Sequence, residues 1–147
     1  MAVSRIGWMA VGWLVCGSAF AQSFPVIDLS AGIRRIEAEV AATQKNRMQG
    51  LMNRLSMATN HGMLFVFASD DRHCMWMRNT LIPLSVAFLD AAGKIINIED
   101  MQPRTENNHC AARPARYALE MNLGWFRQHG IGADAPLSGL EKAPPPQ

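Results

Sequence analysis

Eight consecutive residues, His73-Cys74-Met75-Trp76-Met77-Arg78-Asn79-Thr80, bring together an imidazole, a thiol, two thioethers, an indole, a guanidinium and an amide. Thioether and thiolate sulfur favour Cu(I), and imidazole suits the same ion. Alternation along an extended chain divides the set, with His73, Met75 and Met77 on one face and Cys74, Trp76 and Arg78 on the other. A cysteine so placed does not join the methionines around one ion. Met75 and Met77 read as adaptable core filler. No metal ligand and no cofactor is expected, and a copper-handling protein is the least favoured reading.

The polar half of the stretch suggests a clamp instead. Arg78, Asn79 and Thr80 beside Trp76 could hold a carboxylate, a phosphate or a sugar. Arg116 and Glu120 flank Tyr117 on a later segment, and Glu106 and His109 lie on a polar loop between the two. These eight residues, Trp76, Arg78, Asn79, Thr80, Glu106, His109, Arg116 and Glu120, are the ligand-binding candidates. The competing expectation gives Asn79 and Thr80 to a turn and pairs Arg78 with a carboxylate such as Glu120. It makes the stretch more structural than catalytic, and it is the favoured one.

No catalytic residue can be assigned. The chain contains no G-x-S-x-G. His109 adjoins Cys110, but neighbours on an extended chain point apart, and a catalytic Cys–His pair is spatial rather than sequential. His61 and His129 sit beside glycines and read as solvated turn residues. Asp90, Glu99, Asp100, Glu106 and Glu120 are conceivable acid–base carboxylates, yet their spacing does not report the separation such chemistry needs.

The chain has 147 residues and a formal charge of +2. Its first 21 residues read as a signal peptide: Arg5, an apolar run from Ile6 to Val15, then Ala19-Phe20-Ala21 at the cleavage point. The run is too short to span a bilayer, which takes roughly 20 apolar residues. Val15 before Cys16 argues against a lipid-modified cysteine, where a small residue is the rule. The mature chain is expected to begin near Gln22, in the periplasm or outside the cell, with no stable membrane insertion. Its charge, near neutral after loss of Arg5, offers no footprint for nucleic acid. In an oxidising compartment Cys74 and Cys110 are expected to form a disulfide.

Hydrophobic patterning places the elements that must carry these groups. Phe24 to Ser30 reads as a short strand, and Ile36, Ala38 and Val40 alternate with charged residues on a second. Thr43 caps a helix predicted to run through Arg54, with Met48, Leu51, Met52 and Leu55 as a core-facing stripe. Gly62 to Phe67 is apolar on both faces and predicts a central strand. Cys74 to Met77, Leu84 to Asp90 and Lys94 to Met101 predict three more, the last two joined by a turn at Gly93. After a polar loop from Gln102 to Pro114 come a strand in Ala115 to Asn122 and a short helix ending at Gly130. The fold class is α+β, mainly antiparallel β: a compact barrel-like or sandwich sheet with two short helices. Residues 22–140 form a single β-rich domain, and the proline-rich 141–147 is expected to be disordered.

Four segments carry a family resemblance: Gln49 to Arg54, Gly62 to Phe67, Met75 to Ile95, and Pro114 to Ile131. In this order they resemble the domain-of-unknown-function family 192, small and often exported prokaryotic proteins. The Trp76 to Leu84 core is its most specific part. The resemblance implies a compact β-rich fold and no particular reaction. The expected function is therefore non-catalytic binding of a small ligand, an envelope polymer or a protein partner by a monomer. An envelope hydrolase using Arg78 and nearby carboxylates is the alternative. Any ligand site is expected between the Gln102 to Pro114 loop and the Trp76 to Thr80 segment, with Trp76 as a stacking floor.

Overall fold

A computed structural model describes residues 23–147. The expected signal peptide, its expected cleavage point and Cys16 lie outside the described residues. Nine strands follow in chain order: β1 (Val26–Ala31), β2 (Arg34–Ala41), β3 (His61–Asp71), β4 (Cys74–Met75), β5 (Leu84–Leu89), β6 (Ile95–Met101), β7 (His109–Cys110), β8 (Ala115–Asn122) and β9 (Leu137–Ser138). Helix α1 (Gln44–Gln49) follows β2, and α2 (Trp125–Gln128) follows β8.

Seven strands form one sheet in the order β6-β5-β8-β3-β2-β1-β9, and β4 pairs with β7 as a separate ribbon. The sheet curls until its edges approach. Lys94 on the β6 side bridges Pro136, and the Ile95 amide donates to the Ala135 carbonyl. The α+β, barrel-like expectation holds. One pairing is parallel: β2 and β3 run alongside each other from Glu37↔His61 to Ala41↔Phe65. A parallel neighbour needs a crossover, and residues 42–60, including α1, supply it.

Both faces of the sheet are covered, as the unbroken burial of Met63 to Phe67 on β3 requires. One core draws on all seven strands and on α2, with Leu64, Leu119, Trp125 and Phe126 at its centre. The second lies on the opposite face and includes Phe65, Phe67, Val86, Phe88 and Ala118. Its lid comes from the crossover and the β4–β5 connection, through Leu51, Met77 and Ile82.

The helix after β2 is shorter than its composition suggests. Thr43 does cap it, its hydroxyl accepting from the Asn46 amide at 3.1 Å. Gly50, at φ 47°, then turns the chain out of the helix, where an added Cβ would meet the Phe65 ring at 3.1 Å. The predicted stripe is broken by that turn. Leu51 is buried, but Met48 is 69 % and Leu55 85 % exposed. Thr43→Ala should cost about 1 kcal/mol, the usual worth of such a cap. Urea denaturation reads it directly, and an unchanged midpoint would mean that the tertiary fold alone holds the first turn.

Two further expectations are corrected. The predicted strand from Cys74 to Met77 is only two residues long, because Met77 already begins a turn closed by the Thr80 amide on the Met77 carbonyl. The tail expected to be disordered is instead docked. Leu140–Lys142 form a 3₁₀ turn, and the Gln147 backbone exchanges hydrogen bonds with Ala42 and Gln44. Its polarity was legible; the open backbone groups at the start of α1 that receive it were not.

Candidate functional site

Cys74 and Cys110 face each other across the β4–β7 ribbon, Cα atoms 4.0 Å apart, and are joined by a disulfide. The ribbon fixes the Gln102 to Pro114 loop beside the chain that leads to Trp76. Backbone bonds then close the two segments against each other: the Met77 amide donates to Thr105 and the Arg104 amide to Thr80. Asn97 on edge strand β6 fastens the far end, donating to the Cys110 carbonyl and accepting from the Ala112 amide.

The space that Trp76 borders lies on its other side. A groove of about 420 Å³ runs between α1 and the β3–β4 connection, walled by Met48, Phe65, Phe67, His73, Met75 and Trp76. His73 is held there by stacking on Phe67 at 3.8 Å. A smaller cavity of about 30 Å³ shares Phe65, Met75 and Trp76 with the groove and adds Thr80 and Glu120. Such a volume holds about one or two water-sized groups.

Glu120 is the unusual residue of this cavity. Its neighbours in register are Met63 on β3 and Val86 on β5, both buried apolar residues. The residue is 4 % exposed, and its side chain has no hydrogen-bond or ion-pair partner among the described residues. No sealed polar side-chain atom among those residues lacks a partner, so the residual access of the carboxyl is to the cavity. Burial pushes its pKa up to about 8, because a carboxylate loses its hydration in an apolar setting.

The candidates therefore separate into groups. Trp76, Thr80 and Glu120 share the cavity. The guanidinium of Arg78 lies 5.7 Å from the Trp76 ring centroid and pairs with Glu106 at 3.4 Å, not with Glu120. Asn79 adopts φ 58°, and its carbonyl receives the Asn53 amide, which makes it a turn residue. His109 bonds Asn107 at 3.1 Å and lies 3.9 Å from Glu99. Arg116 pairs with Asp70 at the opposite end of β8 from Glu120.

Arg47, Phe65 and Phe67 were missed as site residues. Arg47 lines both spaces, and its guanidinium is spread over the carbonyls of Ala42, Val66 and Gln147. Two of these carbonyls, Val66 and Gln147, are distant in sequence and leave no local signal. The aromatics were legible only as core.

A second cleft, about 320 Å³, lies at Ser85, Glu99, Asp100 and Arg127. Its polar groups are mutually satisfied: Ser85 donates to Asp100, Asp100 pairs with Arg127, and the Gly124 amide donates to Ser85. That network ties α2 to the sheet and leaves no group unpaired.

Two solved structures share the fold. A candidate transcription regulator from Sinorhizobium meliloti 1021 is 33% identical, covers 81% of this chain and 97% of its own, and superposes with a TM-score of 0.76. A protein of unknown function from Novosphingobium aromaticivorans DSM 12444 is 27% identical, covers 87% of this chain and 99% of its own, with a TM-score of 0.74. No curated protein matches the chain. Residues 26–139 match the model of domain-of-unknown-function family 192, "Uncharacterized ACR". A match of this extent, spanning every strand of the sheet, shows that the chain belongs to that family.

Proposed function

We propose that this is an exported, non-catalytic binding domain whose ligand enters the groove beside Trp76. The observation that carries the reading is an open apolar groove that shares Phe65, Met75 and Trp76 with a small cavity holding an unpartnered buried carboxyl. Its volume falls within the range of small-molecule sites, which combine apolar walls with few polar groups. Export is supported by the Cys74–Cys110 bridge, since such bonds persist in oxidising compartments.

The remaining carboxylates favour binding over acid–base chemistry. Asp90 is paired with Arg113, Asp100 with Arg127 and Glu106 with Arg78. None of these three lines the Glu120 cavity. A hydrolase is the second reading, favoured by one observation: a carboxyl that keeps its proton near neutral pH can serve as a general acid.

A fluorescence and thermal-shift screen of envelope metabolites and glycans, followed by substitution, tests the first reading. Trp76 is 46 % exposed and free to be covered by a ligand, so Trp76→Ala should weaken any ligand found by about 30-fold, the scale for truncating an aromatic anchor. Arg78→Ala should have a smaller effect, because its pair with Glu106 is exposed. Asn79→Ala should leave affinity unchanged. A ligand indifferent to all three places the site elsewhere. Turnover of any substrate in a hydrolase panel, lost on Glu120→Gln, replaces the first reading by the second.

A further inference from the structure

The groove has a chemical polarity of its own. The small cavity that shares its Phe65, Met75 and Trp76 walls holds a carboxyl with nothing to neutralise it; along the groove itself are aromatic rings and thioethers. The charged groups around Glu120 can be taken element by element. From α1 comes Arg47, already held by three carbonyls. From the β4–β5 connection come Trp76 and Thr80, while Arg78 is turned to the Trp76 ring and Glu106. From β3 and β5 come Met63 and Val86, which are apolar. No cation compensates the carboxyl, which is why burial alone governs its proton affinity.

The complement of an uncompensated carboxylate is a cation, and the complement of an indole ring is also a cation. Arg78 already exploits the Trp76 ring in this way. The complement of Phe65, Phe67, Met48 and Met75 is an aliphatic stem. We propose that the groove receives a small amphipathic amine, its primary ammonium seated against Glu120 and Thr80 beside Trp76 and its apolar stem lying along the groove. This rests on the reading of the groove as a binding site and names the ligand class.

Below about pH 8 folding leaves the carboxyl protonated, so an incoming ammonium bears the release of that proton as well as its own desolvation. A small cavity suits an ammonium, which is close to water in size, and the groove of about 420 Å³ has room for its stem. Protons balance simply: neutral Glu120 and R–NH₃⁺ give carboxylate, bound ammonium and one proton released to solvent. Binding therefore tightens with rising pH up to about 8, where the free carboxyl is already ionised. It weakens again only when the amine itself loses its proton. A neutral acceptor ligand would show the opposite trend.

Isothermal titration of the mature protein with n-hexylamine, hexan-1-ol and hexanoate at pH 6 to 9 tests this. Hexylamine should bind with affinity rising by up to about tenfold per pH unit below 8, as one linked proton requires. The number of protons released, read in buffers of different ionisation enthalpy, should approach one at pH 6. Glu120→Gln should weaken hexylamine at least about 30-fold, the scale for removing one member of a buried charge pair, and flatten its pH dependence. Trp76→Ala should weaken it without altering that dependence. Hexan-1-ol binding as tightly as hexylamine, with no pH trend, overturns the ammonium and leaves the groove a binding site. Tighter binding of Nα-acetyl-lysine amide than of hexylamine overturns the small-molecule occupant in favour of a protein lysine. No binding of any probe overturns the inference, and the ligand screen with Trp76→Ala then decides separately whether the groove is a site.

Discussion

Glu120→Gln should make the protein more stable, and increasingly so as the pH rises from 5 to 8. In the unfolded chain this carboxyl ionises near its ordinary value of 4.5, whereas in the folded protein it keeps its proton to about 8. Between those limits the folded state binds more protons than the unfolded state, so stability falls as pH rises. The contribution of the protonated acid is complete below pH 4.5 and lost above 8. At about 1.4 kcal/mol per pH unit, the whole window amounts to something on the order of 5 kcal/mol. Glutamine has nearly the same shape and does not ionise, so it removes this dependence. Urea unfolding of both proteins at pH 5, 7 and 8.5 measures it. Parallel pH profiles for the two would show that Glu120 is solvated in solution. A residue that weakens its own fold at neutral pH is one that selection for stability alone would replace, which is the thermodynamic side of the case for a site.

Removing the Cys74–Cys110 bridge should lower stability by roughly 4 kcal/mol on the chain-entropy account, because it opens a long loop in the unfolded state. The two cysteines are 36 positions apart. Little else in the ribbon compensates, since β4 and β7 contribute two residues each and Cys74 is exposed. A Cys74→Ser, Cys110→Ser double variant, or the protein in excess reductant, should unfold at a correspondingly lower urea concentration. Equal midpoints would show that the backbone bonds at Met77 and Thr80 and the side-chain bonds of Asn97 suffice to hold the loop. Hydrogen exchange adds resolution: the Thr105 and Ala111 region should lose protection first, while β3 and β8 keep theirs.

The strands were largely legible because each carries its own pattern. Ile36, Ala38 and Val40 alternate, and Met63 to Phe67 is apolar throughout. What sequence could not show was which strands meet. Nothing in β2 or β3 distinguishes a parallel from an antiparallel neighbour; that choice depends on where the 42–60 crossover packs. Gly50 falls inside the helix predicted from Thr43 to Arg54, and that it ends the helix follows from its φ of 47° and the Phe65 ring beneath it, which is a tertiary contact. Glu120 was recognised as a candidate and given the wrong partner. Its parity along β8 places it with Ala118, away from Leu119 and Met121, which on a strand with one wet face would put it in water. The crossover and the β4–β5 connection cover that face, and their covering is a tertiary fact. Thr80 and Trp76 were placed beside each other by sequence, but the cavity that unites them with Glu120 needs all three elements.

The latch at Asn97 has a consequence for handling the protein. Strand β6 is an outer strand of the sheet, and an uncovered strand edge offers its amides and carbonyls as a template for a second chain. Its beginning is shielded by Ala135 and Pro136, and its middle by the cystine-bound loop that Asn97 grips from both sides. Once the cystine is reduced, that loop is held by hydrogen bonds, the exposed Arg78–Glu106 pair, the Asp90–Arg113 pair and the small buried side chain of Ala111, and its excursions become more frequent. Reduced protein should therefore self-associate through sheet extension while still folded, at reductant concentrations that leave the β3 and β8 pairing intact. Cys74 and Cys110 thus guard colloidal behaviour, and purification in reductant would select for the clumped material that it was meant to prevent.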